Sequence, residues 1–344
     1  MLRGSMWARI NGAAYGQLTG RCGTAAHPEE IMPVDPGIQA MLDVLESLNR
    51  PSITAGTPEA ARAGFRLLTV GMRQPHMVIP VRQVEDIVLP GPAGPVAARV
   101  YRPDAEGKLP TIAFFHGGGF VIGDIDTHDN QARRLCRDVG AVVVSVDYRR
   151  APEDPWPAGV DDACAATRWL ADHIAVFGND PDRLAVAGDS AGGNFAAVAA
   201  QVFRDEGGPK LAAQLLIYPA VDFDETLEKY ASRVECAEGY FLTAGEMKWF
   251  AEHYRSDPDD VANPRLSPIY GDLTGLPPAV VVTAEFDPMR DEGEAYARAM
   301  QAAGVDVELM RFDGLIHGFF DLAVLSEACA AAADATCTEF AKLL

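Results

Sequence analysis

The sequence predicts an α/β fold: a mostly parallel central sheet with helices on both faces, an antiparallel hairpin at one edge and a helical cap. Three observations predict it. Short apolar runs alternate with helical patterns from residue 111 onward, the mark of strands buried on both faces. Before them, a Pro-Gly-Pro-Ala-Gly turn at residues 90–94 joins two alternating stretches, Val84 to Leu89 and Val96 to Tyr101. Between Asp222 and Leu276 the alternation pauses for long enough to insert a cap or lid.

Each element follows in chain order. Residues 1–31 scatter Gly, Ala, Thr and polar side chains without periodicity. They are expected to be a loose leader, upstream read-through or a vector remnant, with Met32 as an alternative start. Ile38, Met41, Leu42, Val44, Leu45 and Leu48 recur at three- and four-residue steps, which makes a helix after Pro36. A second helix starts at Thr57-Pro58-Glu59, a cap and first turn, and carries Ala61, Phe65, Leu67 and Leu68. Residues 32–80 are therefore read as N-terminal cap helices, and 81–344 as the main domain with a cap insertion at about 223–275. The expected strands are Thr111–Phe115, Ala141–Val146, Leu184–Ala187, Leu215–Tyr218, Ala279–Ala284 and Val307–Arg311. Helices are expected at Asp161–Val176, Ala244–Tyr254, Glu292–Ala303 and Ser326–Leu344.

Composition narrows the function. The 344 residues carry 49 acidic and 29 basic side chains, a net charge of −20. An acidic surface repels phosphate backbones and anionic lipid, which argues against nucleic-acid binding and membrane adsorption. No apolar run reaches the ~18 residues of a membrane span, and the N-terminus lacks the apolar core of an export signal. Six cysteines without a CxxC pair suggest neither a disulfide framework nor a zinc site, and favour a cytoplasmic protein with reduced thiols.

The chemistry gathers around Gly188-Asp189-Ser190-Ala191-Gly192, where a strand turns into a helix. Such a turn holds a serine hydroxyl out at the carboxyl end of a sheet, with small neighbours letting strand and helix approach. His116-Gly117-Gly118-Gly119-Phe120 follows another strand directly, and its glycines can aim successive N–H groups at one spot. Such donors hold the negative oxygen of a tetrahedral intermediate. A phosphate loop is the rival reading, but it normally opens a helix and brings a Lys or an acidic partner. Asp287 follows the strand Ala279–Ala284 and His317 follows Val307–Arg311, so both reach the sheet edge that carries Ser190. In that geometry His317 takes the serine proton and Asp287 holds its tautomer.

Other polar residues are read more plainly. Asp291 is expected to start or cap the following helix, and Asp313 and Asp321 lie too near His317 in sequence to reach its ring. His128, with Asp124, Asp126 and Asp129 nearby, invites a metal reading. A hinge and helix cap built with Thr127 explains it better, so no metal or cofactor is expected. His27, His76, His173 and His253 have no matched partners, and surface or packing roles are expected for them.

These blocks resemble those of the hormone-sensitive-lipase-like branch of the α/β-hydrolases, the bacterial family IV esterases. The resemblance runs from about Met32 to the C-terminus. It rests on His116–Gly119, Asp147-Tyr148-Arg149-Arg150-Ala151-Pro152-Glu153, Gly188–Gly193, Asp287–Gly293 and Ile316–Phe319. Asp189 before the serine is similar to one subgroup, and Met289 stands where Leu is usual, a tolerable apolar exchange. The resemblance implies a catalytic triad of Ser190, Asp287 and His317. It also implies an oxyanion hole from the N–H groups of Gly118, Gly119 and Ala191, with His116, Gly117 and Asp189 in support. It implies cofactor-free hydrolysis of a small-molecule ester of short to medium acyl chain through an acyl-serine. Amide, lactone or thioester cleavage by the same groups is the alternative, and a non-catalytic receptor on the same fold a remote one. The family allows a homodimer, although no interface signature stands out in the sequence.

Overall fold

The computed structural model describes residues 33–48, 52–177, 179–255 and 257–344, and the expected leader at 1–31 lies outside them. Eight strands form the centre: β1 (Gln83–Gly91), β2 (Gly94–Arg102), β3 (Thr111–Phe115), β4 (Val142–Asp147), β5 (Leu184–Asp189), β6 (Ala213–Ile217), β7 (Ala279–Phe286) and β8 (Val307–Ile316). Across the sheet they run β1-β2-β4-β3-β5-β6-β7-β8. The β1–β2 and β2–β4 pairs are antiparallel, and every pair from β4 to β8 is parallel. The hairpin therefore sits at one edge, as its alternation predicts.

All residues of β3, β5 and β6 are buried, which is what covering a parallel sheet on both faces requires. Successive side chains feed opposite layers. Ile112 and Phe114 pack with α3 (Asp129–Val139) and α9 (Glu327–Ala341). Ala113 and Phe115 pack with α4 (Ala158–His173), α5 (Ala191–Asp205) and α8 (Arg290–Ala302) on the other face.

Two of the strands that outrun their apolar signal position the site. β5 continues through Gly188 and Asp189 because these pair with Leu216 and Ile217 of β6. β8 runs on to Ile316 past an irregularity opposite Ala284–Phe286, so His317 follows the strand directly.

The remaining helices gather near the carboxyl ends of the strands. α1 (Pro36–Ser47) is capped by Asp35, whose Oδ1 accepts from Gly37 N at 3.0 Å and Ile38 N at 3.2 Å. α2 (Pro58–Arg66), capped by Thr57, widens into a π-helical turn at Leu67–Gly71. Arg62 pins α2 by donating to Val121 O at 2.8 Å, Ala151 O at 2.7 Å and the Glu153 carboxylate at 2.7 Å. The stretch 223–275 contributes α6 (Ala231–Glu235) and α7 (Ala244–Tyr254). A Thr243–Glu246 capping box opens α7.

Candidate active site

Ser190 occupies the junction of β5 and α5 with φ 54° and ψ −116°, a conformation that costs a non-glycine residue roughly 1–3 kcal/mol. Its backbone is held on both sides: Ser190 N donates to Ile217 O at 2.8 Å, and Ser190 O accepts from Asn194 N at 3.2 Å. The flanking glycines are steric necessities. A Cβ on Gly188 would strike the carbonyl of Gly192, and one on Gly192 would strike that of Phe115. Among the described residues four non-glycines have positive φ: Phe120, Ser190, Tyr218 and Phe241. All four line one cavity, so the strain is concentrated there.

His317 Nε2 lies 3.0 Å from Ser190 Oγ, and His317 Nδ1 lies 2.7 Å from Asp287 Oδ2. Asp287 is fully buried, and its other oxygen accepts from Met289 N at 2.8 Å in the turn after β7. A carboxylate at Nδ1 fixes the proton there and leaves the Nε2 lone pair facing the hydroxyl. Burial opposes charge on His317, but the adjacent Asp287 carboxylate outweighs it and raises the imidazole above its ordinary pKa. The arrangement can take a proton from the hydroxyl and stabilise the imidazolium that forms.

The glycine loop sits against the serine turn. Gly117 N donates to Asp189 Oδ1 at 2.8 Å, tying the loop to the residue before Ser190. Gly118 and Gly119 take φ +117° and +56°, and Gly118 O accepts from Val121 N and Ile122 N at 3.1 and 2.8 Å. Among the described residues the Gly118 and Gly119 N–H groups meet no backbone acceptor, which leaves them for a ligand oxygen. His116 braces the loop with Nδ1 2.8 Å from Gly117 O, while Tyr148 stacks on it at 4.3 Å and donates to His116 O at 2.6 Å. Burial drives the His116 pKa well down, so its ring stays neutral.

A cavity of about 1640 Å³ opens above Ser190, walled by α1, α2, α7 and the glycine loop. Of the apolar residues in the expected cap, Met41, Val44, Leu45, Leu48, Phe65, Leu68 and Phe250 line the space, as does Phe241 just before α7. Ile38, Leu42 and Trp249 pack into protein instead.

Asp291 lies in the first turn of α8, as expected, and also accepts from Ser232 N at 2.9 Å. The His317 nitrogens meet Asp287 and Ser190, and Asp321 faces His128 instead. The reading of His128 needs correction. It occupies the cap position of α3 but makes no capping hydrogen bond, because its ring turns inward toward Asp189 and Asp321. The sequence reasoning missed that pairing, and it missed a buried ion pair of Arg233 with Glu292 at 2.7 Å. Glu292 falls inside the Asp287–Gly293 block, a signal that could have found it, whereas nothing in the sequence singles out Arg233.

A strand-to-helix serine paired with a histidine and a buried carboxylate defines a serine hydrolase on an α/β scaffold. Comparison with known proteins agrees. Residues 112–321 match a family of the alpha/beta hydrolase fold. The carboxylic ester hydrolase LipN of Mycobacterium tuberculosis is 43% identical over 306 residues, covering 87% of this chain and 80% of its own. A hyperthermophilic esterase from the archaeon Pyrobaculum calidifontis superposes with a TM-score of 0.85 at 43% identity, covering 91% of this chain and 99% of that one. An ester hydrolase from the metagenome of Lake Arreo, solved with a bipyridine phosphonate derivative, gives 0.85 at 41% identity, covering 90% and 99%. The chain belongs to the α/β-hydrolase family, in its hormone-sensitive-lipase-like branch of carboxylic ester hydrolases.

Proposed function

We propose that this carboxylic ester hydrolase works through Ser190 as nucleophile, His317 as base and then acid, and Asp287 as the group that orients His317. The observation that carries the reading is the unbroken line Ser190 Oγ, His317 Nε2, His317 Nδ1, Asp287 Oδ2, at 3.0 and 2.7 Å. Ser190 Oγ attacks the ester carbonyl as its proton passes to His317 Nε2, and the oxygen becomes an oxyanion held by the N–H groups of Gly118, Gly119 and Ala191. The C–O bond then breaks, the alcohol leaves with the proton from His317, and an acyl-serine remains. Water repeats the sequence, giving its proton to His317 and releasing the acid.

The helices of residues 33–80 and of the stretch 223–275 act as the cap in this reading, because their apolar side chains wall the cavity. The family resemblance favours short to medium acyl chains. At about 1640 Å³ the cavity exceeds the ~300–1,000 Å³ usual for small-molecule sites, so its walls rather than its volume set the limit. Among the described residues no helix is long and apolar enough to cross a membrane. The five described cysteines are free and buried, which supports a cytoplasmic location that cell fractionation can check.

Nitrophenyl esters from acetate to palmitate test the substrate reading. The expected kcat/KM peaks among the short and medium chains and falls by at least about tenfold at palmitate. A maximum at palmitate would overturn the acyl preference and leave ester hydrolysis intact.

A further inference from the structure

Beside the nucleophile turn lies a second polar cluster that the ester chemistry leaves unused. His128 is 2% exposed, and its Nδ1 lies 2.9 Å from Thr127 Oγ1. That hydroxyl also lies 2.8 Å from Asp124 O, which can only accept, and 2.7 Å from Asp124 N, which can only donate. Its single proton therefore goes to Asp124 O, and His128 Nδ1 carries the hydrogen toward Thr127. Nε2 is left to face two carboxylates, Asp189 Oδ2 at 3.8 Å and Asp321 Oδ2 at 4.0 Å.

The surroundings close the cluster. Gln131, one turn along α3, is buried, and neither its amide nitrogen nor its amide oxygen has a hydrogen-bond partner among the described residues. His116 stacks on His128 at 5.1 Å, the Phe65 ring lies 5.8 Å away, and Arg73 is the nearby cation felt by Asp321. Burial pushes both carboxyls upward, Asp321 to about 6. Two facing carboxylates in a buried site repel unless a proton lies between them.

The three residues come from three of the connections that build the active site, His128 from the one between β3 and α3 that opens with the glycine loop. Asp189 precedes Ser190 and accepts from Gly117 N at 2.8 Å, so it belongs to both the serine turn and the glycine loop. Asp321 ends the turn that starts at His317, its N–H donating to Gly318 O at 3.0 Å.

We propose that His128 is a positioning residue: with Nδ1 tied to Thr127 and Nε2 set between the carboxylates of Asp189 and Asp321, it holds the serine turn, the glycine loop and the His317 loop in register. The inference rests on the reading of Ser190 and His317 given above, and it can fail while that reading stands.

Four proteins test it: the wild type, His128→Gln, Asp321→Asn and the double variant, each measured for kcat, KM, melting temperature and bound metal. His128→Gln is expected to lower kcat by about 10- to 100-fold with KM within about twofold, because misplaced reacting groups act on the transition state. Adding Asp321→Asn removes one of the two facing charges, so the double variant should turn over faster than His128→Gln alone. A merely structural role for the imidazole would make the double variant slower still, and that result overturns the proposal. So would wild-type kcat in His128→Gln, or a stoichiometric metal ion lost from that variant, which would make the cluster a metal site. If His128→Gln does not fold, Asp321→Asn alone carries the test. It should lower kcat by about 3- to 10-fold at unchanged KM, and wild-type kcat there overturns the proposal.

Discussion

At the residue scale the decisive contact in the proposed mechanism is His317 with Asp287, because it sets both the tautomer and the charge of the proposed base. The base must be neutral to accept the serine proton. Its pKa is raised above the ordinary histidine value by the carboxylate 2.7 Å away, against the opposing effect of burial. Activity should therefore fall as pH drops through a midpoint above about 6.5. A pH profile of kcat/KM in the free enzyme measures that midpoint. Asp287→Asn should lower kcat by about 10⁴-fold, since the imidazole then loses its fixed tautomer. A midpoint below 6, or an active Asp287→Asn enzyme, would contradict the assignment. The three residues are legible in the sequence because each closes a strand at one sheet edge and two glycines flank the serine. The role of His128 is not, because its ring direction depends on where α3 lies relative to two loops distant in sequence.

At the element scale the glycine loop and the stretch 223–275 shape what the serine can attack. Gly119 has φ +56°, and a Cβ there would run into the Phe250 ring of α7. Gly119→Ala is thus expected to lower kcat by about 10²–10³-fold by displacing an oxyanion donor, with the fold retained by circular dichroism. Turnover within threefold of wild type would place that donor elsewhere.

Arg233 of α6 meets Glu292 of α8 at 2.7 Å, with both side chains almost fully buried. Burial raises Glu292 to about 7 even though Arg233 opposes the shift, so the ion pair does not fully offset the desolvation of the carboxylate. Arg233→Leu should cost about 3–5 kcal/mol in urea unfolding at pH 8, where Glu292 without its partner must either stay charged and buried or take up a proton against the solvent pH. The cost should shrink at pH 5.5, where the carboxyl is neutral, and an equal cost at both would rule out the charge as its cause.

Element boundaries are less legible in the sequence than element types. Gly188 and Asp189 are poor strand formers, yet the ladder to β6 carries β5 through them. Periodicity likewise marks Met41, Ile38 and Leu42 as one apolar stripe, but only tertiary packing decides which of them meets substrate.

At the scale of the whole molecule the parallel sheet does the assembling. Five strands from β4 across to β7 point the same way, so β5 and β7 deliver Ser190 and Asp287 to one edge, and β8 beyond them adds His317. The alternation of apolar runs and helices makes this layout readable, since a right-handed crossover leaves few ways to connect such strands. The cavity is not readable in that way, because helices from separate stretches of the sequence build its walls and their tilt is set by contacts such as Arg62 with Glu153. Net charge of −20 bears on solubility and on which substrates approach, and it leaves the chemistry at Ser190 unchanged. That chemistry is tested most directly by the kcat/KM of Ser190→Ala on nitrophenyl butyrate beside the wild type. A fall of about 10⁴-fold or more, at an unchanged melting temperature, is the expected result. Near wild-type turnover in that variant would contradict the assignment of Ser190 as nucleophile.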